Sequence, residues 1–329
     1  MIHPIPPGTR DILPEEMREL RRLHRALIDV FEQRGYGEVA TPAIEYDEVL
    51  ARGDGRTASS AYRFFDERGD LLALRSDMTV PIARLVASRF AGAEPPLRFS
   101  YLANAFRAVR PQRGQMREFA QAGVELIGAP APAGTVEVVE VLEATLDAAG
   151  LERAVIGLGD ADLFRQLLTE LGVEGESRNA ILGRLAAHDL VGLEVELSRA
   201  GIAAAQVDTC VALSQLRGGR EVLEQARAIG GEAVERATAR IGETVAALEQ
   251  RGVAGRVQVD LGLLRDLGYY SGAILEVYDP AIGHVLGGGG RYDELLRRFG
   301  VDLPAAGFAL YLERVHVAQM EESRRGGGS

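Results

Sequence analysis

The chain of 329 residues contains no lysine, so all 37 of its basic residues are arginines. That absence removes a P-loop lysine, a pyridoxal Schiff base and a lysine nucleophile together. Chemistry must come from arginines, carboxylates, tyrosines and the backbone. Cysteine is nearly missing as well: Cys210 stands alone, which excludes a disulfide framework. Five histidines, His3, His24, His188, His284 and His316, are scattered without metal-ligand spacing, so neither a metal nor another cofactor is expected. No run of 18 or more apolar residues occurs, and the opening MIHPIPPGTRD lacks the pattern of a secretory signal. A cytoplasmic chain without membrane contact is the expectation. Positive charge is also in deficit: 48 acidic residues against 37 basic leave a net charge of −11, which argues against a chain coated with nucleic acid but leaves room for a local basic groove.

What is present is a 47% hydrophobic sequence, too long for one core of ordinary size. Two domains, or one domain with a large insertion, are expected. LPEEMRELRRLHRALIDVFEQRG reads as a helix, with Pro14, Glu15 and Glu16 at its start, an apolar stripe through Leu20, Leu23, Leu27 and Phe31, and Gly35 as its stop. YGEVATPAIEY reads as a strand whose Pro42 points to an edge or an interface. YRFFDERGDLLALR predicts a hairpin turning at residues 67–70, followed by a helix over MTVPIARLVASRF. Two further strands are predicted at roughly 97–107 and 118–127. Between residues 159 and 251 the pattern turns to amphipathic helices with glycine stops, and strands resume with RVQVDLG and GAILEVYD. These patterns predict an α+β fold: a mixed, mainly antiparallel sheet flanked by helices and interrupted by an all-helical insertion. The expected division is 1–158 and 252–320 for the two parts of the core, 159–251 for the insertion and 321–329 for a flexible tail.

Four stretches could carry chemistry, and each has a plain structural reading. NAFRAVRPQRGQMREFAQAGVELIG sets Arg107, Arg110, Arg113 and Arg117 on one strand-loop-strand unit. Guanidinium groups suit phosphate or carboxylate, but such a loop can equally be solvated surface. LGGGGRYDELL reads as a glycine strand running into a helix, where either a close backbone approach or an ordinary loop would explain the glycines. LRDLGYYSGAILEVY sets Arg265, Tyr269 and Tyr270 before a strand, so that one tyrosine would face a core and the other a cleft. Asp77 and Thr79 in ALRSDMTVPIAR are either helix caps or a carboxylate and hydroxyl for a ligand ammonium group.

In order, these stretches resemble the class II aminoacyl-tRNA synthetase core, specifically histidyl-tRNA synthetase. GTRDILP, YGEVATP, FRAVRPQRGQMREFAQAGVELIG, LLRDLGYYSGAILEVY, GGGGRYDELLRRFG and GFALYLERV match its ordered motifs over nearly the whole chain. The resemblance implies a histidine pocket: Asp77 and Thr79 at the α-amino group, Gln121 near the carboxylate, Glu125, Tyr269 and Tyr270 at the imidazole, and Arg107 and Arg265 at the carboxylate end. Arg107, Arg113, Arg265 and Arg314 are implied as vestigial nucleotide or phosphate contacts. The sequence also departs from the synthetase. Val109 stands where the pattern has a glutamate that contacts adenine, a loss of about 1.5–3 kcal/mol. Asp77 replaces a glutamate, Ala120 a histidine and Gly268 an aspartate. The chain ends soon after LERV, so the anticodon-binding domain is expected to be absent and tRNA is not expected as a partner.

With these departures the sequence is similar to the regulatory subunits of ATP phosphoribosyltransferase, paralogues of the synthetase. That resemblance implies a non-catalytic protein that forms a dimer, joins the short catalytic subunit in a hetero-octamer, supports its activity in the first step of histidine biosynthesis and mediates inhibition by L-histidine. A minimal histidyl-tRNA synthetase or a histidine-adenylating ligase is the alternative.

Overall fold

The computed structural model describes residues 5–53, 60–109, 116–265 and 268–326. Helix α1 (Pro14–Gln33) starts on a proline whose missing N–H costs nothing there, and buries Leu20, Leu23, Leu27 and Phe31 at helical spacing. Gly35, with φ +81°, turns the chain out of it. The stretch expected to be one strand is two: β1 (Gly37–Glu38) joins the large sheet and β2 (Ile44–Tyr46) a small one. Pro42 lies between them, unable to donate to a ladder. After α2 (Asp47–Gly53), β3 (Arg63–Phe65) and β4 (Leu71–Leu74) form the hairpin that pairs with β2.

Helix α3 (Thr79–Arg89) leads to the long antiparallel pair β5 (Leu97–Phe106) and β6 (Glu118–Ile127), then to α4 (Ala133–Ala148) and β7 (Val155–Asp160). A helical block follows: α5 (Leu163–Glu170), α6 (Gly175–Ala186), α7 (Leu190–Arg199), α8 (Ala204–Gln215), the two-residue β8 (Arg217–Gly218), α9 (Glu221–Ile229) and α10 (Glu232–Gln250). β7 thus runs two residues past the expected boundary at 158. The chain closes with β9 (Val257–Asp260), β10 (Ala273–Tyr278), β11 (Val285–Arg291), a 3-10 turn (Leu296–Phe299), β12 (Ala305–Tyr311) and α11 (Leu312–Gly326). The glycine strand therefore runs on to a 3-10 turn where an α-helix was expected. Residues 321–326, expected to be part of a flexible tail, are helical. Glu322 ties them down by accepting from the backbone N–H groups of Glu152 and Arg153 at 3.0 and 3.1 Å.

Among the described residues the large sheet has nine strands in the order β1-β5-β6-β12-β11-β10-β7-β9-β8, antiparallel except at β1/β5 and β7/β9. Strand periodicity divides its side chains between two cores. Ala122, Val124, Leu126, Ala306, Phe308 and Leu310 pack with Leu27, Phe31 and Leu142 of α1 and α4. Their neighbours in sequence, Gln121, Gly123, Glu125, Gly307, Ala309 and Tyr311, belong to the opposite face. There Met78, Tyr101, Tyr269, Tyr270 and Tyr292 form the second core. The polar side chains of β6 and β12 thus fall on the face that carries the tyrosines.

Candidate functional site

β6 and β12 pair in the register Gln121↔Tyr311, Gly123↔Ala309 and Glu125↔Gly307, and β11 lies beyond them with Gly288 opposite Ala309. The floor of the site is therefore glycine-rich where it must be thin. A Cβ on Gly307 would run into the Glu125 carboxylate, and one on Gly288 into the Arg265 guanidinium. Over this floor the structure brings together Asp77, Thr79, Arg107, Gln121, Arg265, Tyr269 and Tyr270 around one cavity, with Met78, Tyr101, Tyr292 and Tyr311 completing its wall.

Glu125 does not line the free space itself; it is fully enclosed behind Thr79 and Tyr292. Thr79 Oγ1 donates to its Oε1 at 2.8 Å, and the Tyr292 hydroxyl donates to its Oε2. Burial pushes the Glu125 carboxyl up to about 8, against the two hydrogen bonds that favour its ionised form. A carboxyl raised that far is mostly protonated at neutral pH and can donate as well as accept. Asp77 accepts the Val80 N–H at 3.1 Å, so it does serve the first turn of α3 as one reading of the sequence held. Thr79 is turned instead toward Glu125. Gln121 is 3% exposed and its Oε1 has no partner among the described residues. Arg265 is equally under-satisfied: its Nε has no partner, its Nη1 lies 3.4 Å from the Leu275 carbonyl and 3.9 Å from Glu276, and its guanidinium sits 5.9 Å from the Tyr270 ring centre. Buried polar groups left open in this way call for a polar partner, a ligand or an ordered water.

The tyrosine pair does not alternate across a strand. Tyr269 and Tyr270 precede β10 in a turn, their ring centres are 5.0 Å apart, and both line the cavity. Tyr292 was not among the residues singled out in sequence; it stands directly after the glycine strand, and its contact with Glu125 spans 167 positions. The free space is about 30 Å³, room for about two waters at about 10–15 Å³ each. The polar constellation is assembled, but closed.

A second, larger cavity of about 410 Å³ adjoins it, lined by Arg10, Val109, Met116, Phe119, His284 and Arg314 and sharing Arg107 and Tyr311 with the first. Rings and guanidiniums are layered here: Arg107 lies 4.9 Å from the Phe119 ring, Phe119 meets Tyr311 edge-on at 5.3 Å, and Arg314 lies 4.5 Å from the Tyr311 ring. Burial alone would raise the Tyr311 phenol, yet Arg107, Arg265 and Arg314 outweigh it and hold it below the usual range. Arg117 hydrogen-bonds the Val109 carbonyl at 3.1 Å and so closes the base of the arginine loop. Arg110 and Arg113 lie outside the described residues. Among the described residues no three His, Cys, Asp or Glu side chains gather as a metal site, and no helix is long and apolar enough to cross a membrane.

The family model for histidyl-tRNA synthetase matches residues 8–315. An ATP phosphoribosyltransferase regulatory subunit of Moorella thermoacetica is 42% identical over 321 residues, covering 96% of this chain and 82% of the relative. The chain belongs to this family of synthetase-like regulatory subunits. A solved structure described as an ATP phosphoribosyltransferase regulatory subunit/histidyl-tRNA synthetase from Bacillus halodurans shares 32% identity and a TM-score of 0.88, over 97% of this chain and 84% of that one. A histidine–tRNA ligase subunit from Alicyclobacillus acidocaldarius shares 30% identity and a TM-score of 0.85, over 98% and 99%. The regulatory-subunit family thus has the class II synthetase fold, and in this member both cavities lie along β6 and β12.

Proposed function

We propose that the chain is the regulatory subunit of an ATP phosphoribosyltransferase, that it binds free L-histidine in the closed polar cavity, and that it passes this occupancy to a short catalytic subunit in the first step of histidine biosynthesis. One observation carries the reading: an open buried guanidinium, an open buried amide and the Asp77 carboxylate converge on one cavity, with the Glu125 carboxyl enclosed behind its Thr79 and Tyr292 walls. A histidine zwitterion needs these groups: acid for its ammonium, guanidinium for its carboxylate, and a carboxyl with hydroxyls for its ring nitrogens. Inhibition requires that histidine bind more tightly in the inactive state of the assembly, with a coupling of typically about 1–3 kcal/mol. Tight binding by itself would shift nothing.

The assembly is a hetero-octamer in this reading, built on a dimer of this chain. Exposed apolar side chains on the small sheet, among them Ile44, Tyr46 and Phe65, support self-association through that face. Aminoacylation is absent in this reading, and tRNA and cofactors play no part. The larger cavity favours one second reading, a ligase that adenylates histidine, because Arg107, Phe119 and Arg314 flank an open slot there. Val109, which can neither accept nor donate at its side chain, weighs against it.

Three measurements on the purified full chain test the proposal: calorimetry with L-histidine, co-elution with a short-form phosphoribosyltransferase, and histidine-dependent exchange of pyrophosphate into ATP. Heat on titration, co-elution with activation, and no exchange are expected. Absence of heat both alone and in the complex would sink the histidine assignment, and robust pyrophosphate exchange without tRNA charging would establish the ligase.

A further inference from the structure

The segment that carries the two pocket tyrosines is not held by the sheet alone. Tracing the backbone polar groups of residues 270–272 shows where it is anchored. The Ser271 N–H donates to the Arg291 carbonyl at 2.8 Å, and the Asp293 N–H donates to Ser271 Oγ at 3.0 Å, which fixes one side to the end of β11. The other side is fixed to the entrance of the helical block. Arg165 Nη1 donates to the Tyr270 carbonyl at 2.8 Å. The Gly272 N–H donates to Asp162 Oδ2 at 3.1 Å, and the Gly272 carbonyl accepts the Ala161 N–H at 2.7 Å.

Arg165 is also tied backwards into the block. Arg178 of α6 donates to the Arg165 carbonyl at 3.0 Å, and Arg236 of α10 holds Gln166 and Glu170 at 2.9 and 2.8 Å. Asp160, at the end of β7, receives both arms of Arg240 at 2.8 and 2.9 Å. Tyr270, α5, α6 and α10 are therefore joined by a continuous set of charge-assisted hydrogen bonds, which resist independent movement of their parts. The cavity beside Tyr270 has about 30 Å³ of free space, too little for an amino acid, which enters only if the tyrosine segment or Arg265 gives way. If the tyrosine segment moves, it either drags the first turn of α5 with it or breaks the bond from Arg165.

We propose that Arg165 and Asp162 are positioning residues that hold the pocket tyrosines and carry the filling of the pocket into the helical block. The claim rests on the histidine reading above and deepens it by naming the contact through which the pocket reports. Neither side chain touches the ligand. Their effect runs through the backbone of residues 270–272, and the tilt of α5 is passed to α6 through Arg178.

The test compares the wild-type chain with Arg165→Met and Arg165→Lys, using calorimetry with L-histidine and hydrogen exchange with and without it. In the wild type, histidine is expected to slow exchange in two separated stretches, residues 269–275 and residues 163–186. In Arg165→Met the affinity should fall about tenfold, and the protection that remains should be confined to 269–275. Arg165→Lys keeps a cation within reach of the carbonyl and should restore most of the protection over 163–186. A structural role alone would lower stability without changing how far ligand protection spreads. Asp162→Ala, which removes the acceptor of the Gly272 N–H, supplies the same comparison should Arg165→Met fold poorly. Protection of 163–186 in Arg165→Met or Asp162→Ala equal to that in the wild type would overturn the proposal. A wild-type chain that gives neither heat nor protection would instead overturn the histidine reading on which it stands, so the two failures are distinguishable.

Discussion

Two cavities share Arg107 and Tyr311 yet are built on opposite principles. The smaller has polar groups on every wall and almost no space; the larger has ample space, layered rings and guanidiniums, and Val109. The difference follows from how each is floored. Beneath the first, Gly288 and Gly307 let strand backbones approach Arg265 and Glu125, so the polar atoms are drawn into contact with one another. The second is walled by Phe119, Tyr311 and Arg314, whose bulk keeps its sides apart. Specificity comes from buried polar groups left open for one partner, and volume alone supplies none. The small cavity is the selective one for that reason.

The most severe way to break the comparison is to thicken the floor. In Gly307→Ala the new methyl group would meet the Glu125 carboxylate and the Val124 carbonyl, neither of which can retreat through the sheet. The expected result is loss of about 1–3 kcal/mol of stability together with loss of histidine binding. Denaturant unfolding and calorimetry read the two effects. Retention of full affinity would mean that the ligand does not depend on this floor.

A finer probe is the proton on Glu125. Its carboxyl titrates near 8 in the folded chain against 4.5 as the ordinary value. Folding therefore takes up a proton between these two values, and the stability contribution, fully present below pH 4.5, is lost as pH rises through 8. Glu125→Gln, which keeps the shape without the titration, should remove this decline between pH 4.5 and 8, at most about 1.4 kcal/mol per pH unit. An unchanged profile in chemical unfolding across this range would show that Glu125 is ionised in the folded chain.

The strands that build these walls were legible because alternation of apolar and polar residues along LRFSYLANAF and EFAQAGVELI assigns faces without reference to the rest of the chain. Asp77, Thr79, Arg107, Gln121, Arg265, Tyr269 and Tyr270 were named through the resemblance of ordered motifs, and they line one space. Tyr292 was not named, because its reason for being there is a carboxylate 167 positions away. Tyr269 and Tyr270 were placed ahead of the strand, as they are, but strand alternation was extended to them, which would have sent one ring to a core and the other to a cleft; both line the cavity. Helix α4 was passed over: AGTVEVVEVLEATLDA is buried on many sides and rich in valine, so it shows no single apolar stripe. In α8 the weak polarity of AAQVDTCVALSQ blurs the stripe in the same way. The role of Arg165 lies in a contact with a backbone carbonyl, which no side-chain pattern announces.

The gentlest probe works in the larger cavity and should leave the smaller untouched. Val109→Glu adds a carboxylate beside Phe119, Arg107 and Arg314, where a purine amino group could be accepted. One restored charge-assisted hydrogen bond should strengthen adenine-nucleotide binding about tenfold, read by calorimetry or by displacement of a fluorescent nucleotide. Histidine affinity should stay within twofold, roughly the scatter expected of independent sites, since Val109 does not line the smaller cavity. Coupling could travel only through Arg107 and Tyr311, which face both spaces. If Val109→Glu changes histidine affinity as much as nucleotide affinity, these two side chains join the cavities into one site, and the contrast between them is a matter of shape alone.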